Sequence, residues 1–286
     1  MLVIAGVSGH VGSVAASDLL AKGAKVKVIV RDAKKGEAWS KRGAEVAVGE
    51  LGDEAFLTTA LKGATGFFTL LPMDFGATDI LAYQRKLGAT IGNAVKASGV
   101  PHVVLLSSVG ADLAEGTGPI KGLFHLENTL RATGTQLTAI RAGYFQENVA
   151  NSIAPARDAG IFPNFSPSAD YPMPMIATRD IGHLVATSLA SPAAKSEIVD
   201  LHGPSYSIRQ VAEKLGKRLG KALQLVDIPA AGHLQALTQA GLPPALAASY
   251  TEMNAGFASG NIRPKGDRMV EGKTTLDEVL VELLPG

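Results

Sequence analysis

Leu2-Val3-Ile4-Ala5-Gly6-Val7-Ser8-Gly9-His10-Val11-Gly12 opens the chain. Four apolar residues make a short strand, and a glycine stops it. Gly6 permits a tight turn, Gly9 allows bare backbone to approach a pyrophosphate, and Gly12 lets the next helix pack on the strand. A helix starting there presents unpaired N–H groups and a partial positive charge to an anion. Ser8, His10 and Val11 fill the loop between the glycines. The spacing is Gly-x-x-Gly-x-x-Gly, one residue longer than the dehydrogenase fingerprint. A bare glycine triplet is a weak signal. Its weight comes from its place at the head of a long α/β alternation.

Beyond Gly12 the chain alternates between short apolar runs and helical stretches. Lys25 to Val30, Ala44 to Val48, Gly66 to Leu71, Val103 to Ser107 and Leu137 to Arg141 read as further strands. Helical patterns lie between, over Val11 to Lys22, around Glu37 to Arg42, and from about Asp79 to Ser98. Near-continuous hydrophobic strands alternating with helices predict parallel pairing, with helices on both faces. The expected fold class is α/β, a Rossmann-type doubly wound parallel sheet with a smaller C-terminal lobe. Residues 1–150 form the nucleotide-binding unit and residues 176–202 return to it through a helix (Arg179 to Ala190) and a strand (Ile198 to Leu201). The rest of 151–286 is read as a substrate-binding lobe. Ala154 to Pro174, with five prolines, reads as irregular chain over the ligand side. Ser207 to Leu219 is a helix with Ser207 as its N-cap, Leu223 to Ile228 a strand, and Pro229 to Gly260 two helices broken at Gly241-Leu242-Pro243-Pro244. Thr275 to Leu284 is a terminal helix.

Composition narrows the function. Lys plus Arg is 27 and Asp plus Glu is 26 in 286 residues, a net charge of +1. That balance argues against a nucleic-acid binder or a polybasic membrane anchor. No apolar run reaches ~18 residues, so no transmembrane helix is expected, and no signal peptide is evident. The chain has no cysteine, which removes thiolate nucleophiles, disulfides and zinc–thiolate sites. The histidines and carboxylates show no metal-ligand spacing, so no metal is expected. A cytoplasmic location fits. The sequence leaves the oligomeric state open.

The end of the second strand decides the cofactor. Acidic residues there accept from a ribose hydroxyl, and arginine favours a 2′-phosphate. The sequence reads Val30-Arg31-Asp32-Ala33-Lys34-Lys35, so NADPH is expected with Arg31 and Lys35 near its phosphate, and Asp32 leaves NADH open. Ligands sit outside the carboxyl ends of parallel strands. That selects Asp53 after strand three, Thr69, Leu70, Leu71 and Pro72 after strand four, and Ser107, Ser108 and Val109 after strand five. Asp53 serves equally well as a helix N-cap before Glu54.

No tyrosine is followed by lysine four residues later, so the usual Tyr-x-x-x-Lys carbonyl-reduction pair is absent. Ser107 and Ser108 lack a Gly-x-Ser-x-Gly elbow and are not read as nucleophiles. The glycine loop, Val30-Arg31-Asp32, His125-Leu126-Glu127, Ile140-Arg141-Ala142-Gly143-Tyr144-Phe145-Gln146-Glu147-Asn148, Thr178-Arg179-Asp180-Ile181-Gly182, Leu201-His202-Gly203-Pro204 and Met269-Val270-Glu271-Gly272-Lys273-Thr274-Thr275 together resemble the NmrA-like group of atypical short-chain dehydrogenase/reductases. The likeness spans essentially the whole chain. Within the group the chain is most similar to NAD(P)H-dependent quinone reductases and flavin-free azoreductases. Many members carry a lysine four residues before the glutamate matched by Glu127; here Leu123 stands there, and Lys121 is two residues earlier.

The resemblance implies hydride transfer to a flat, quinone-like or azo acceptor. Such an acceptor gains an aromatic product, so it needs less acid help than a ketone. Positioning then dominates, with reacting atoms brought to ~3–3.5 Å in a water-poor pocket. Stacking candidates are Phe75, Val109, Tyr144, Phe145, Phe162, Tyr171 and Met173, with Phe165 beside them. Tyr144 and His125 are the candidate proton donors. Glu147 is read as structural, and Asn148 as a carboxamide holder or a lobe contact. His102, His183, His202 and His233 are read as structural or exposed. NmrA-like folds also include NAD(P)-sensing regulators without turnover, the alternative reading.

Overall fold

The computed structural model describes residues 1–285. Alternation begins at once: β1 (Leu2–Ile4), α1 (His10–Ala21), β2 (Val26–Val30), α2 (Ala33–Lys41), β3 (Glu45–Val48), α3 (Glu54–Leu61), β4 (Gly66–Thr69), α4 (Ile80–Ser98), β5 (His102–Ser108), α5 (Lys121–Ala132) and β6 (Gln136–Ala142). A mixed region comes next, with β7 (Tyr144–Phe145), α6 (Ile153–Ala159), β8 (Ile161–Asn164) and β9 (Met173–Ile176). Then come α7 (Thr178–Ala190), β10 (Glu197–His202), β11 (Ser205–Tyr206), α8 (Ile208–Leu219), β12 (Gln224–Asp227), α9 (His233–Gln239), α10 (Pro244–Ala258), β13 (Arg268–Glu271) and α11 (Leu276–Leu283).

The main sheet has eight strands in the order β13-β10-β6-β5-β4-β1-β2-β3, and every pairing in it is parallel. The chain reverses direction across the sheet between β1 and β4, which creates a crevice at their carboxyl ends. Alternate residues of one strand feed opposite cores. Val3, Phe67, Val103 and Leu105 pack with α3, α4 and α5, and Ile4, Phe68 and Val104 pack with α1, α2 and α7. That double burial is why these strands read as unbroken apolar runs. A third cluster, including Val149, Ala156, Phe162, Leu215 and Leu280, holds the lobe together.

Five helices carry a side-chain N-cap: Asp32 on α2, Asp53 on α3, Asp79 on α4, Ser207 on α8 and Thr275 on α11. Glu147 does this work for α7 from a distance. Its Oε1 accepts from the Thr178 backbone N–H at 2.8 Å and from Thr178 Oγ1 at 2.5 Å. Asp180 accepts from Thr274 twice, at 2.9 and 2.7 Å, and Arg179 reaches Thr274, Glu278 and Glu282. The resemblance segments around 146–148, 178–182 and 269–275 are thus one stitched corner joining the sheet to the last helix.

Two expectations need correction. Ala154 to Pro174 is partly regular, because α6, β8 and the start of β9 lie in it. Pro155 sits in the first turn of α6, where its missing N–H is harmless, and Pro163 sits in a two-stranded sheet with β12, where one edge is always unpaired. Arg268–Glu271, read as part of the lobe, is an edge strand of the main sheet. Its polar sequence hid it: Arg268 pairs with Glu197 at 2.8 Å, and Met269 is exposed.

Candidate active site

The crevice at the switch point begins with the glycine loop. Gly6 has φ +68° and its Cβ position lies 2.7 Å from Leu70 Cδ2, so the ends of β1 and β4 touch there. A Cβ on Gly12 would fall 2.5 Å from the Gly6 carbonyl oxygen and 2.7 Å from that of Ala5. Helix α1 therefore packs backbone to backbone on the turn. Gly9 differs: a Cβ there would meet only Gly6 O, at 3.4 Å. Ser8, Gly9 and His10 are exposed, and Gly9 is the N-cap of α1 with no side-chain cap. The first-turn N–H groups of α1 face an open space that a phosphate fits. Val11 turns its side chain into the core, so only its backbone is available.

Arg31 follows β2, exposed and without a hydrogen-bonding or ionic partner among the described residues; Lys35 is exposed nearby. Asp32 is engaged in capping α2, accepting from Lys34 N at 2.9 Å. The basic side chain is free and the acidic one is used, the arrangement that suits a 2′-phosphate. Arg31 also neighbours the Tyr83 phenol. Burial, Asp74 and Glu50 push that phenol above its ordinary pKa, while Arg31 pulls it back. Leu70, Leu71 and Pro72 are half-buried at the end of β4, and Ser108 at the end of β5.

Several expected site residues serve the scaffold. Asp53 caps α3, accepting from Phe56 N at 3.0 Å. Thr69 is fully buried, and its hydroxyl has no partner. Val109 packs with Ala111, Ile120 and Ile262, and Phe162 lies in the lobe core. Ser107 is 3% exposed and donates to Glu127 Oε1 at 2.6 Å. Phe165 stands edge-on to His233. The alternation of strand side chains decides the serines: Ser107 points inward and Ser108 toward the crevice side.

Glu127 leads to a feature that pattern reading missed. It is fully buried on α5 and held by Arg141 of β6 through Nε at 3.0 Å and Nη2 at 2.8 Å, and by Arg131 at 2.7 Å. Arg141 also faces Asp112 at 3.6 Å, and Asp112 pairs with Lys265. Asp200 adds a third carboxylate near Arg141 and accepts from Gly266 N. Burial works against the Arg141 charge, but Glu127, Asp112 and Asp200 more than offset it and raise its pKa. The signal was in the sequence. An Arg inside an apolar strand must find a carboxylate.

Tyr144 stands past the end of β6, 36% exposed. Its phenol pKa is raised, by desolvation first, with the Asn148 amide opposing that rise. It stays a neutral donor at physiological pH. His125 does not suit the acid role. Arg85 Nη2 lies 2.8 Å from its Nε2, and a guanidinium only donates, so that nitrogen is the acceptor of a neutral ring. Burial and then Arg85 lower its pKa. Phe75 and Tyr171 are 65% and 70% exposed, Phe145 packs against the core beside α1, and Met173 is half-buried on β9. Lys121 is tied to Glu252 at 2.7 Å. His102 is buried against Thr138, His183 pairs with Asp18 at 2.6 Å, and His233 bonds the Ile228 carbonyl. No helix is long and apolar enough to cross a membrane among the described residues.

Comparison with known proteins agrees with this architecture. The chain is 27% identical over 269 residues to quinone oxidoreductase 2 of Escherichia coli K12, covering 92% of this chain and 90% of that one. It is 26% identical over 256 residues to an NAD(P)H azoreductase of Xenophilus azovorans, covering 89% and 86%. The crystal structure of an Escherichia coli NADPH-dependent quinone oxidoreductase complexed with NADPH superposes with a TM-score of 0.82 at 24% identity, covering 99% of each chain. The Citrobacter sp. triphenylmethane reductase complexed with NADP(H) gives 0.83 at 18% identity, covering 99% and 100%. The family model described as NmrA-like matches residues 1–279, and the chain belongs to the NmrA-like family.

Proposed function

We propose that this protein is an NAD(P)H-dependent oxidoreductase, flavin-free, that reduces flat quinone-like or azo acceptors. One observation carries the reading: an open anion cradle at the switch point, with a free Arg31 beside it, shares the ligand side of the sheet with a half-exposed tyrosine. The named reductase relatives support the same class.

The residues present fit a dinucleotide. Gly9 leaves space where a side chain would obstruct, α1 offers uncapped N–H groups, and Arg31 and Lys35 supply charge for a 2′-phosphate, which favours NADPH over NADH. Leu70, Leu71 and Pro72 wall the crevice, and Ser108, whose hydroxyl donates to the Val109 carbonyl at 3.0 Å, can still accept there at the end of β5. Bound nicotinamide supplies the hydride. A quinone that accepts it becomes a hydroquinone anion, and one proton from solvent completes the product. Tyr144 orients the acceptor oxygen and steadies its developing charge by donating a hydrogen bond. The Glu127–Arg141 pair holds β5, β6 and α5 in register beneath the site. Residues 1–150 and 176–202, with β13, form the nucleotide unit; the remainder of 151–286 is the lobe that meets the acceptor. The need for reduced nicotinamide supports a cytoplasmic place of work.

The absent Tyr-x-x-x-Lys pair favours a second reading, a cofactor-sensing regulator. Consumption of NADPH with a panel of quinones and azo dyes separates the two. Tight NADPH binding with no consumption by any acceptor rejects the enzyme.

A further inference from the structure

Helix α10 meets the chain that follows β5 backbone to backbone. Gly118 has φ +56°, and a Cβ on it would overlap the Ser249 carbonyl oxygen. A Cβ on Gly256 would overlap the Gly116 carbonyl oxygen. Between these two contacts stands Glu252. Its Oε1 accepts from Gly116 N at 3.0 Å and from Lys121 Nζ at 3.0 Å, and its Oε2 accepts from Lys121 Nζ at 2.7 Å. Among the described residues it is the one side chain of α10 that hydrogen-bonds beyond its own helix. One carboxylate thus pins both ends of the turn from Gly116 to Lys121. Helix α5 starts at Lys121 and has no side-chain cap of its own.

A short relay of contacts runs from this turn to the crevice. Met253, next to Glu252, packs on the small apolar cluster of Val109, Ala111, Ile120 and Ile262. Val109 in turn holds Ser108, whose hydroxyl donates to the Val109 carbonyl at 3.0 Å. With its proton committed there, Ser108 offers only lone pairs to the crevice and meets a hydrogen-bond donor of the bound ligands. Its aim depends on where Val109 sits.

We propose that Glu252 is a positioning residue of the acceptor site, acting through Gly116, Lys121 and Val109 to fix the end of β5 against the bound nicotinamide. Both its oxygens are committed to the protein, so it does not act on the ligands itself. This rests on the function proposed above and adds a determinant of its rate. Without the carboxylate the turn shifts, and Ser108 shifts with it. Hydride transfer is sensitive to such a shift, because a misplacement of about 1 Å can cost about a hundredfold. NADPH affinity is not, because its phosphates lie at the glycine loop and Arg31, beyond β4 in the sheet.

The test is steady-state reduction of 1,4-naphthoquinone by NADPH with the full chain, alongside NADPH affinity by fluorescence and stability in urea. Glu252→Ala is expected to lower kcat by about tenfold to a hundredfold, with NADPH affinity within about twofold of wild type. Glu252→Gln keeps an acceptor oxygen but loses the charge, and should bring kcat back to within about threefold. Thr251→Ala is the control, because the Thr251 hydroxyl bonds only the Ala247 carbonyl within α10, and its kcat should match wild type. Wild-type kcat in Glu252→Ala at full NADPH occupancy shows that the latch only stabilises, and this inference falls alone. A raised kcat, which would make the latch a gate on release, overturns it too. So does an equal loss in Thr251→Ala, which would make any change in α10 sufficient. Should Glu252→Ala not fold, Lys121→Ala removes one arm of the latch and decides by the same split of kcat from NADPH affinity. A wild-type protein that binds NADPH but reduces no quinone or azo acceptor overturns the function beneath as well.

Discussion

Gly9 and Gly12 lie three residues apart, yet alanine should act oppositely at each. Gly9 has φ −103° and ψ 173°, an extended conformation open to any residue. Its Cβ would meet nothing closer than 3.4 Å. Removing glycine freedom from the unfolded chain stabilises by about 0.4–1 kcal/mol, and alanine is a poorer N-cap than glycine by about 1 kcal/mol. The two nearly cancel, so Gly9→Ala should unfold within about 1 kcal/mol of wild type. Gly12→Ala gains about 1 kcal/mol in helix propensity. Its methyl, however, would sit 2.5 to 2.7 Å from three backbone atoms of Ala5 and Gly6, which cannot rotate away. Overpacking costs about 1–3 kcal/mol where side chains can yield, and more against backbone, so Gly12→Ala should be destabilised by about 2 kcal/mol or more.

Cofactor binding should rank the same two variants differently. The Gly9 methyl enters the space left for pyrophosphate and keeps its oxygens off the α1 N–H groups. We expect NADPH to bind at least about tenfold more weakly, or ~1.4 kcal/mol. Urea unfolding gives the first quantity and enhancement of NADPH fluorescence the second. A Gly9→Ala protein that binds NADPH within twofold of wild type would falsify the cradle. So would one that loses both stability and cofactor, because the position would then be a packing glycine like Gly12.

The same geometry makes other outcomes testable. Arg31→Ala should weaken NADPH much more than NADH, since Arg31 has no other partner among the described residues; equal losses in a paired titration would refute its assignment to the 2′-phosphate. Arg141→Met leaves three carboxylates facing an apolar side chain and should cost about 3–5 kcal/mol, whereas Glu127→Gln leaves Arg141 with Asp112 and Asp200 and should cost less. Equal urea midpoints for the two variants would show that Arg141 is not the hub. His102 is held neutral in the fold, first by burial, with its pKa below the unfolded value of about 6.5. The unfolded chain then binds the extra proton, so stability drops as pH falls below that value, by up to about 1.4 kcal/mol per pH unit. His102→Gln should flatten that slope between pH 7.5 and 5.5, and an unchanged slope would assign it to other groups.

What the sequence made legible divides by the range of the interaction. The parallel sheet could be read because burial on two faces writes a local signature, the apolar run, into each strand. The Ser207 cap could be read because a cap acts within three residues. The glycine loop carries its function locally too, since turn, cradle and helix start are one segment. Failures occur where one side chain had two local uses and a distant partner chose between them. Ser107 and Ser108 are indistinguishable until Glu127, on a helix some twenty residues away, takes the first. Asp53 suits an adenine contact or a cap, and Phe56 N takes it. The docking of α10 went unread as well, because only the folded chain brings Ser249 against Gly118 and Gly256 against Gly116. Gly118 and Gly256, like Gly12, are conspicuous for what an added methyl would strike. The glycine loop acts within one segment and could be read from eleven residues, whereas the docking of α10 required the whole fold.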